Sequence, residues 1–305
     1  MSAVPTSVRR WLDSWAGAEP ARDGDRSIDW LRVLPFLALH AGVALVLVVG
    51  WSPVAVAVAA TSYALRMFAI TAFYHRYFSH RAFRTSRAMQ LVFALLGASA
   101  VQRGPLWWAA HHRRHHRHSD QAHDAHSPEV DGLWWSHVGW LLARENYRTR
   151  LEEVRDLARF PELRFLDRFD ALVPLASMAA FYALGAALSR AAPELGTDGP
   201  QMLVWGFVVS TVALYHGTFA INSIAHRFGT RPYATRDQSR NNALLALLTL
   251  GEGWHNNHHR WPGAARQGFR WWELDLSWLG LCALAALGIV WDLAPVPERV
   301  RAERR

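Results

Sequence analysis

Lysine is missing from this chain of 305 residues, so its 33 basic side chains are all arginine and guanidinium groups alone carry the net charge of +8. A basic protein invites nucleic acid as a partner, but no nucleic-acid-binding motif is present, so none is expected. Anionic lipid or an acidic redox protein is the more natural counterpart. Cysteine is nearly missing too. The single Cys282 excludes an intramolecular disulfide and a cysteine-ligated cluster, and its apolar neighbours suggest an inert core thiol. Residues 1–29 are polar and arginine-rich and lack the apolar stretch of a cleavable signal peptide. Neither an internal repeat nor a low-complexity tract is evident.

Charge is scarce in four long apolar runs, at about residues 31–50, 54–73, 172–188 and 202–223. About 20 residues suffice to cross a hydrocarbon core of roughly 30 Å. "WSP" at 51–53 breaks the first pair, and residues 189–201 join the second pair. The expected fold is an all-α integral membrane protein with four transmembrane helices in two hairpins. The remainder, about 75–170 and 225–292, forms a helical cap. Within it, residues 89–101 and 279–290 are apolar but too short to span comfortably, and are expected at the interface or in the cap. Residues 30–292 then make one domain, between an N-terminal segment (1–29) and a solvated basic tail (293–305). The 51–53 turn has no charge, and the 189–201 loop carries one arginine against two acids. Arginine concentrates in the other three parts, so the positive-inside rule places the N-terminal segment, the cap and the C-terminal region in the cytosol.

Histidine is what the chain has in excess. Seven of the sixteen residues from 111 to 126 are histidine, in a run that is internal, broken by Arg113 and Arg114 and so unlike an affinity tag. Four clusters stand out across the chain: His75 with His80, His112 with His115 and His116, Asn222 with His226, and His255 with His258 and His259. On a helix, offsets of three and four residues return to nearly the same face. His112, His115 and His116 therefore project together, as do His255, His258 and His259, and Asn222 shares a face with His226. His75 and His80 are five apart, and a regular helix would splay them by roughly 140°. The chain must bend there, or the two must grip an ion from different sides. Nine imidazoles and one asparagine are too many for one ion and suit two metals at about five ligands each. Imidazole alone does not choose among iron, copper, nickel and zinc.

His112 is preferred over His111 as the first member of its cluster because it reproduces the HxxHH spacing of 255–259. His118, His123 and His126 are expected as supporting or surface groups, and His40, His137 and His216 as ordinary lone histidines. Asp120 and Glu252 could accept ring N–H bonds from ligands, or serve as solvated or capping groups. The tryptophan pairs at 107–108, 134–135 and 271–272 suit an interfacial belt. Trp254, beside a candidate ligand, could line a substrate tunnel.

HRYFSH (75–80), HRRHH (112–116), NSIAH (222–226) and GEGWHNNHH (251–259), in this order, resemble the membrane fatty-acyl desaturase family, in its delta-9, stearoyl-CoA desaturase-like bacterial branch. "WSHVGWLL" at 135–142 and "RPYATRDQSRNN" at 231–242 add to the likeness, which covers about residues 30–278. The resemblance implies a four-helix stem under a cytosolic cap with a di-iron centre, in a bacterial inner membrane. One iron would take His75, His80, His112, His116 and His258. The other would take His115, His226, His255 and His259, with Asn222 holding a water. It implies that O2 and two electrons place a cis double bond, at delta-9, in a saturated acyl chain lying in a bent apolar tunnel. Animal acyl-CoA enzymes carry an Arg-Asp pair for the CoA headgroup where this chain has Ala110 and His111. A lipid-linked substrate is therefore as open as acyl-CoA. No cytochrome domain is fused, so a separate ferredoxin-, flavoprotein- or cytochrome-type donor is implied.

Two rivals remain. A histidine-rich di-iron hydroxylase of alkanes, sterols or carotenoids would share metal and topology but insert oxygen. A non-catalytic metal- or haem-binding membrane protein is the other; haem ligands would be expected inside the apolar spans, whereas these clusters fall outside them.

Overall fold

The computed structural model describes residues 6–16 and 24–303. Residues 1–5 and 17–23 of the N-terminal segment, and 304–305 of the basic tail, lie outside the described residues. The fold is mostly helical. Besides helices, the described residues hold one antiparallel strand pair, Arg84–Thr85 with Val290–Trp291, so the all-α expectation needs that small amendment.

Among the described residues, four helices are long and apolar enough to cross a membrane: Trp30–Val49, Pro53–Ser79, Leu172–Ala191 and Gly199–His226. We call them spans 1 to 4. Spans 2 and 4 run further than their apolar runs, because the helix continues through polar residues that find partners in the protein rather than in lipid. Span 4 is the hub: spans 1, 2 and 3 all pack on it. Within its apolar stretch 61% is buried, against 11% and 6% for spans 1 and 3, which keep most of their surface for lipid. Spans 3 and 4 approach closely because Gly206 leaves room for the Phe181 ring and Gly185 for the Asp198 carbonyl.

Hydrogen bonds fix which helix ends meet. Gln201 Nε2 donates to Val49 O at 3.0 Å and Trp205 Nε1 to Gly50 O at 2.9 Å, so the 50–52 turn lies beside the start of span 4. The C-terminal end of span 2 carries His75, with His80 directly after it, and that of span 4 carries His226; all three take part in the two histidine groups described below. Span 2 also carries a charge. Arg66 is buried among oxygens, with Thr211 Oγ1 at 2.7 Å, Ser99 O at 3.2 Å, Ser62 O at 3.3 Å and a bond to Ser210 Oγ. An arginine at such depth requires this kind of full satisfaction.

The main hydrophobic core lies where the end of span 2 meets the helices Arg87–Ala98, Pro105–His118 and Pro161–Arg168. Phe73 stacks on Phe93 with centroids 3.8 Å apart. The short apolar helix Arg87–Ala98 buries Phe93, Ala94 and Ala98 there and leaves Val92, Leu95 and Leu96 exposed. That amphipathic division suits a helix lying against the stem. The tail departs from expectation. Val296 and Val300 are buried with Tyr233, Ala264 and Phe269, and Ala294 N donates to Ala82 O at 2.8 Å. Its two valines provide apolar area, so residues 293–303 pack against the body despite their arginines.

Candidate metal centre

The five-residue spacing of His75 and His80 finds its answer in the backbone. Span 2 is wound as a π-helix over Ala69–Ser79, and His80 N donates to His75 O at 3.2 Å, five residues back. The wider turn brings positions i and i+5 together. Their Nε2 atoms lie 3.2 Å apart.

Helix Pro105–His118 is started by Pro105, and its Trp107 N–H is capped by Asp167 Oδ1 at 2.7 Å. Arg113, between the histidines, reaches back to the end of span 2, donating to Phe78 O at 2.9 Å and Ser79 O at 3.0 Å. It thereby satisfies carbonyls that a helix end leaves open and locks the two elements together. Helix His255–Arg260 is only six residues long and is held from outside. Asn241 Oδ1 accepts from Asn256 N at 2.9 Å and Asn257 N at 3.1 Å, and Asn257 Nδ2 donates to Glu273 Oε2 at 2.8 Å. The two asparagines of "HNNHH" thus point away from the histidines and anchor them.

The nine histidines converge into two adjoining groups. His75, His80, His112, His116 and His258 form one, and His115, His226, His255 and His259 the other, with ligand atoms in each group within 4.8 Å of one another. Each histidine-rich helix serves both: His112 and His116 face the first group and His115 the second, while His258 faces the first and His255 and His259 the second. The groups share a wall where the rings of His116 and His259 lie 4.5 Å apart.

In the five-histidine group the Nε2 atoms touch in sequence: His80–His112 2.8 Å, His112–His116 3.0 Å, His116–His258 2.9 Å and His258–His75 3.0 Å. In the other, His226 Nε2 and His255 Nε2 are 2.9 Å apart. Two nitrogens at right angles about an ion, each bonded at about 2.1 Å, would be about 3.0 Å apart. The spacing therefore fits neighbouring positions on a five- or six-coordinate ion. His259 Nε2 is buried without a protein partner, a further opening for a metal bond.

Carboxylates fix the rings from behind. Glu252 Oε2 lies 2.5 Å from His75 Nδ1, and Asp120 Oδ2 lies 2.9 Å from His226 Nδ1. Asp124 brackets His115 Nδ1 with both oxygens at 3.0 Å, and Asp237 Oδ2 stands 2.7 Å from His259 Nδ1. With Nδ1 donating, a neutral ring offers Nε2 as a bare lone pair. Asp120 and Glu252 take the ring-accepting role that the sequence allowed them. Asp124 and Asp237 were missed; Asp237 lies inside the "RPYATRDQSRNN" segment.

Burial, then the neighbouring imidazoles, hold His80, His112, His116, His255 and His258 well below the usual imidazole value. Burial also lowers His259, to about 4, with Asp237 opposing. These rings are neutral at pH 7, as ligands must be. His115 runs the other way: burial lowers it, but the charge and hydrogen bond of Asp124, together with the charges of Asp120 and Asp237, outweigh burial and raise it. Burial opposes ionisation of Asp120, Asp124 and Asp237, yet their imidazole partners and other donors hold all three below the usual carboxylate range.

Asn222 is half-buried in the last turn of span 4, and its carbonyl accepts from Ser136 Oγ at 2.9 Å. His111 is turned away from both groups, buried between Trp107 and Trp140. His126 is buried with its ring 4.4 Å from His115, whereas His123 is exposed. His40, His137 and His216 are not isolated. His40 Nε2 is 3.3 Å from His216 Nε2, His216 Nδ1 is 3.0 Å from His137 Nε2, and His137 Nδ1 is 2.9 Å from Ser223 Oγ. Trp254 is half-buried, its Nε1 donating to Leu274 O at 2.8 Å. Trp108 stands closer to the centre, stacked on His112 at 5.0 Å and 5.9 Å from His75. Gln102 takes the Trp108 Nε1 bond at 3.3 Å and donates to Thr218 Oγ1 at 2.8 Å, tying the indole to span 4.

Residues 50–281 match the model of the fatty acid desaturase family. The chain is 38% identical over 238 residues to the chloroplastic palmitoyl-monogalactosyldiacylglycerol delta-7 desaturase of Arabidopsis thaliana, covering 77% of this chain and 60% of that protein. It thus spans about three fifths of that plant relative. It is 37% identical over 265 residues to the sn-1 stearoyl-lipid 9-desaturase of Anabaena variabilis, covering 86% and 92%. An acyl-CoA 5-desaturase of Anemone leveillei is 34% identical over 303 residues, covering 93% and 88%. With nine converging histidines, four apolar spans and these likenesses together, the chain belongs to the fatty acid desaturase family.

Proposed function

We propose that this protein is an integral membrane oxidoreductase that desaturates a saturated fatty-acyl chain, inserting a cis double bond at delta-9 from the carbonyl. The observation that carries the reading is the meeting of nine imidazoles in two adjoining groups at one end of an apolar stem. His75, His80, His112, His116 and His258 would hold one iron. His115, His226, His255 and His259 would hold the other, with Asn222 holding a water. An unactivated methylene has no acidic proton, so acid–base side chains cannot attack it; a bound iron pair supplies, with O2, the required oxidising power. The balance is one CH2–CH2 unit, O2, two protons and two electrons giving one CH=CH unit and two waters.

The chain's own residues position and insulate. Glu252, Asp120, Asp124 and Asp237 hold the rings with Nε2 inward. Trp108 presents a flat apolar flank to the five-histidine group, and an acyl chain laid along it would bring one C–C bond to the centre. Proximity of this kind accounts for much of the rate of an enzyme that must choose one methylene pair. The relatives act on lipid-linked and CoA-linked chains by their names, and the replacement of the Arg-Asp pair by Ala110 and His111 favours the lipid-linked substrate. The two-hairpin stem, the cytosolic placing of the histidine end and a bacterial inner membrane complete the reading. The stem rests on the short 50–52 turn, the cytosolic placing on the arginine distribution, and the bacterial inner membrane on the likeness of the histidine motifs to the bacterial branch of the family. Electrons would come from a separate ferredoxin-, flavoprotein- or cytochrome-type donor.

Expression in a host lacking its own desaturase, followed by fatty-acid profiling with double-bond location, tests this. A monounsaturated product with its bond at position nine is expected. A hydroxylated product would replace the reading with that of a hydroxylase, and an unchanged profile in the presence of a competent donor would refute it.

A further inference from the structure

Nine like imidazoles supply both groups, and each is neutral as a ligand. The charge around each group is therefore set by what stands behind the rings, and there the two differ. Three carboxylates back the four-histidine group: Asp120 on His226, Asp124 on His115 and Asp237 on His259, with side chains at most 8% exposed. Their other bonds come from neutral donors. Ser127 Oγ and Gln238 N serve Asp120, Asp120 N and His126 N serve Asp124, and Ser239 N and Oγ serve Asp237. One carboxylate, Glu252, backs the five-histidine group, and it also accepts from Arg76 Nη2 at 3.2 Å. Arg113 adds a second guanidinium there, held on the carbonyls just before His80. It is paired with Asp156 at 2.7 Å, as Arg76 is with Asp275 at 2.9 Å, so these cations and their partners leave no surplus negative charge behind the rings beyond Glu252.

Resting on the two-iron reading above, we infer that the four-histidine group is the tighter metal site, the one that fills first and empties last. A carboxylate on the far nitrogen raises the basicity of the ligating one and changes metal affinity by about 10–100-fold per partner. Two additional carboxylates, whose hydrogen bonds named above come from neutral donors, outweigh the fifth imidazole of the other group. Asp124 and Asp237 are thus positioning residues that make the two sites unequal.

The test is an anaerobic titration of the metal-free, full-length protein in detergent with Mössbauer-active ferrous iron. His112→Ala leaves only the four-histidine group whole and His255→Ala only the other, and each gives a reference spectrum. The first equivalent added to the unaltered protein is expected to show the His112→Ala spectrum in at least about ten-fold excess. An even mixture, or the His255→Ala spectrum, overturns the inference. Should those variants not fold, chelator-driven release from the unaltered protein is expected in two steps, and Asp237→Asn, close in shape, should weaken the slower step about 10–100-fold. Single-step release overturns the inference, as does a slower step unmoved in Asp237→Asn. Saturation at fewer than two irons would instead remove the two-iron reading itself, so the two failures are separable.

Discussion

Glu252 Oε2 lies 2.5 Å from His75 Nδ1 while its other oxygen accepts from Arg76, whose guanidinium also reaches Asp275 at 2.9 Å. One buried carboxylate thus orients a candidate ligand and takes part of the charge of a fully buried arginine. Glu252→Gln keeps the shape but removes the charge. It is expected to lower iron retention in the five-histidine group by about 10–100-fold. Iron content after dialysis against a chelator measures this, and unchanged retention would contradict the orienting role.

Arg113 and Arg117 are four residues apart on one helix but do different things. Both make an exposed ion pair, Arg113 with Asp156 and Arg117 with Glu153, but Arg113 also binds the carbonyls of Phe78 and Ser79. Arg113→Ala should cost about 1–3 kcal/mol through hydrogen bonds lost to otherwise open carbonyls. Arg117→Ala should change stability by less than about 1 kcal/mol. Thermal melts of the two variants decide; equal effects would contradict the helix-end locking argument.

Acid should weaken the metal-free protein. His80, His112, His116, His255 and His258 sit below the ordinary imidazole value of 6.5 because of burial and mutual repulsion, and His259 falls to about 4. The unfolded chain accepts protons near 6.5 that the folded chain refuses, so stability is full above that pH and is lost as pH falls toward 4. His115, with a raised value, contributes in the opposite sense, fully below 6.5 and lost as pH rises through its folded value. Five rings well below 6.5, with His259, outweigh this one. The melting temperature of the metal-free form is expected to drop between pH 6.5 and 4; a flat profile would contradict the burial of neutral rings.

Arg66 is satisfied by hydroxyls and carbonyls rather than by a carboxylate. Thr211→Val leaves the cation short of its 2.7 Å partner and should cost about 1.5–3 kcal/mol. Arg66→Leu removes the buried charge together with its demand for partners and should be milder. Denaturant-driven unfolding in micelles compares them, and the reverse order would contradict the caging of Arg66 by span 4.

The spans were legible because twenty consecutive apolar residues leave few alternatives in a chain. Their true ends were not. Hydropathy falls at His75 and Asn222, yet the helices continue to Ser79 and His226 because those side chains find partners in the protein. Six of the nine histidines were legible from spacing on two helices and His226 from its offset of four with Asn222, while the 75–80 pair posed its problem openly; only the π-helical backbone resolved it. Asp124 and Asp237 were hidden. Asp124 is nine residues from His115 and Asp237 is twenty-two from His259, so no helical period joins either pair. His40, His137 and His216 looked solitary for the same reason, being joined only when spans 1 and 4 and the 135–139 segment pack together. The tail's arginines concealed two valines that reach a core.

If nine imidazoles from distant parts of the chain hold two metal ions, the ions can be counted. The measurement is iron per polypeptide in the full-length protein, purified after growth with ample iron. Two irons per chain, falling to at most one in His116→Ala, is the expected result. One iron or none in the unaltered protein would contradict it.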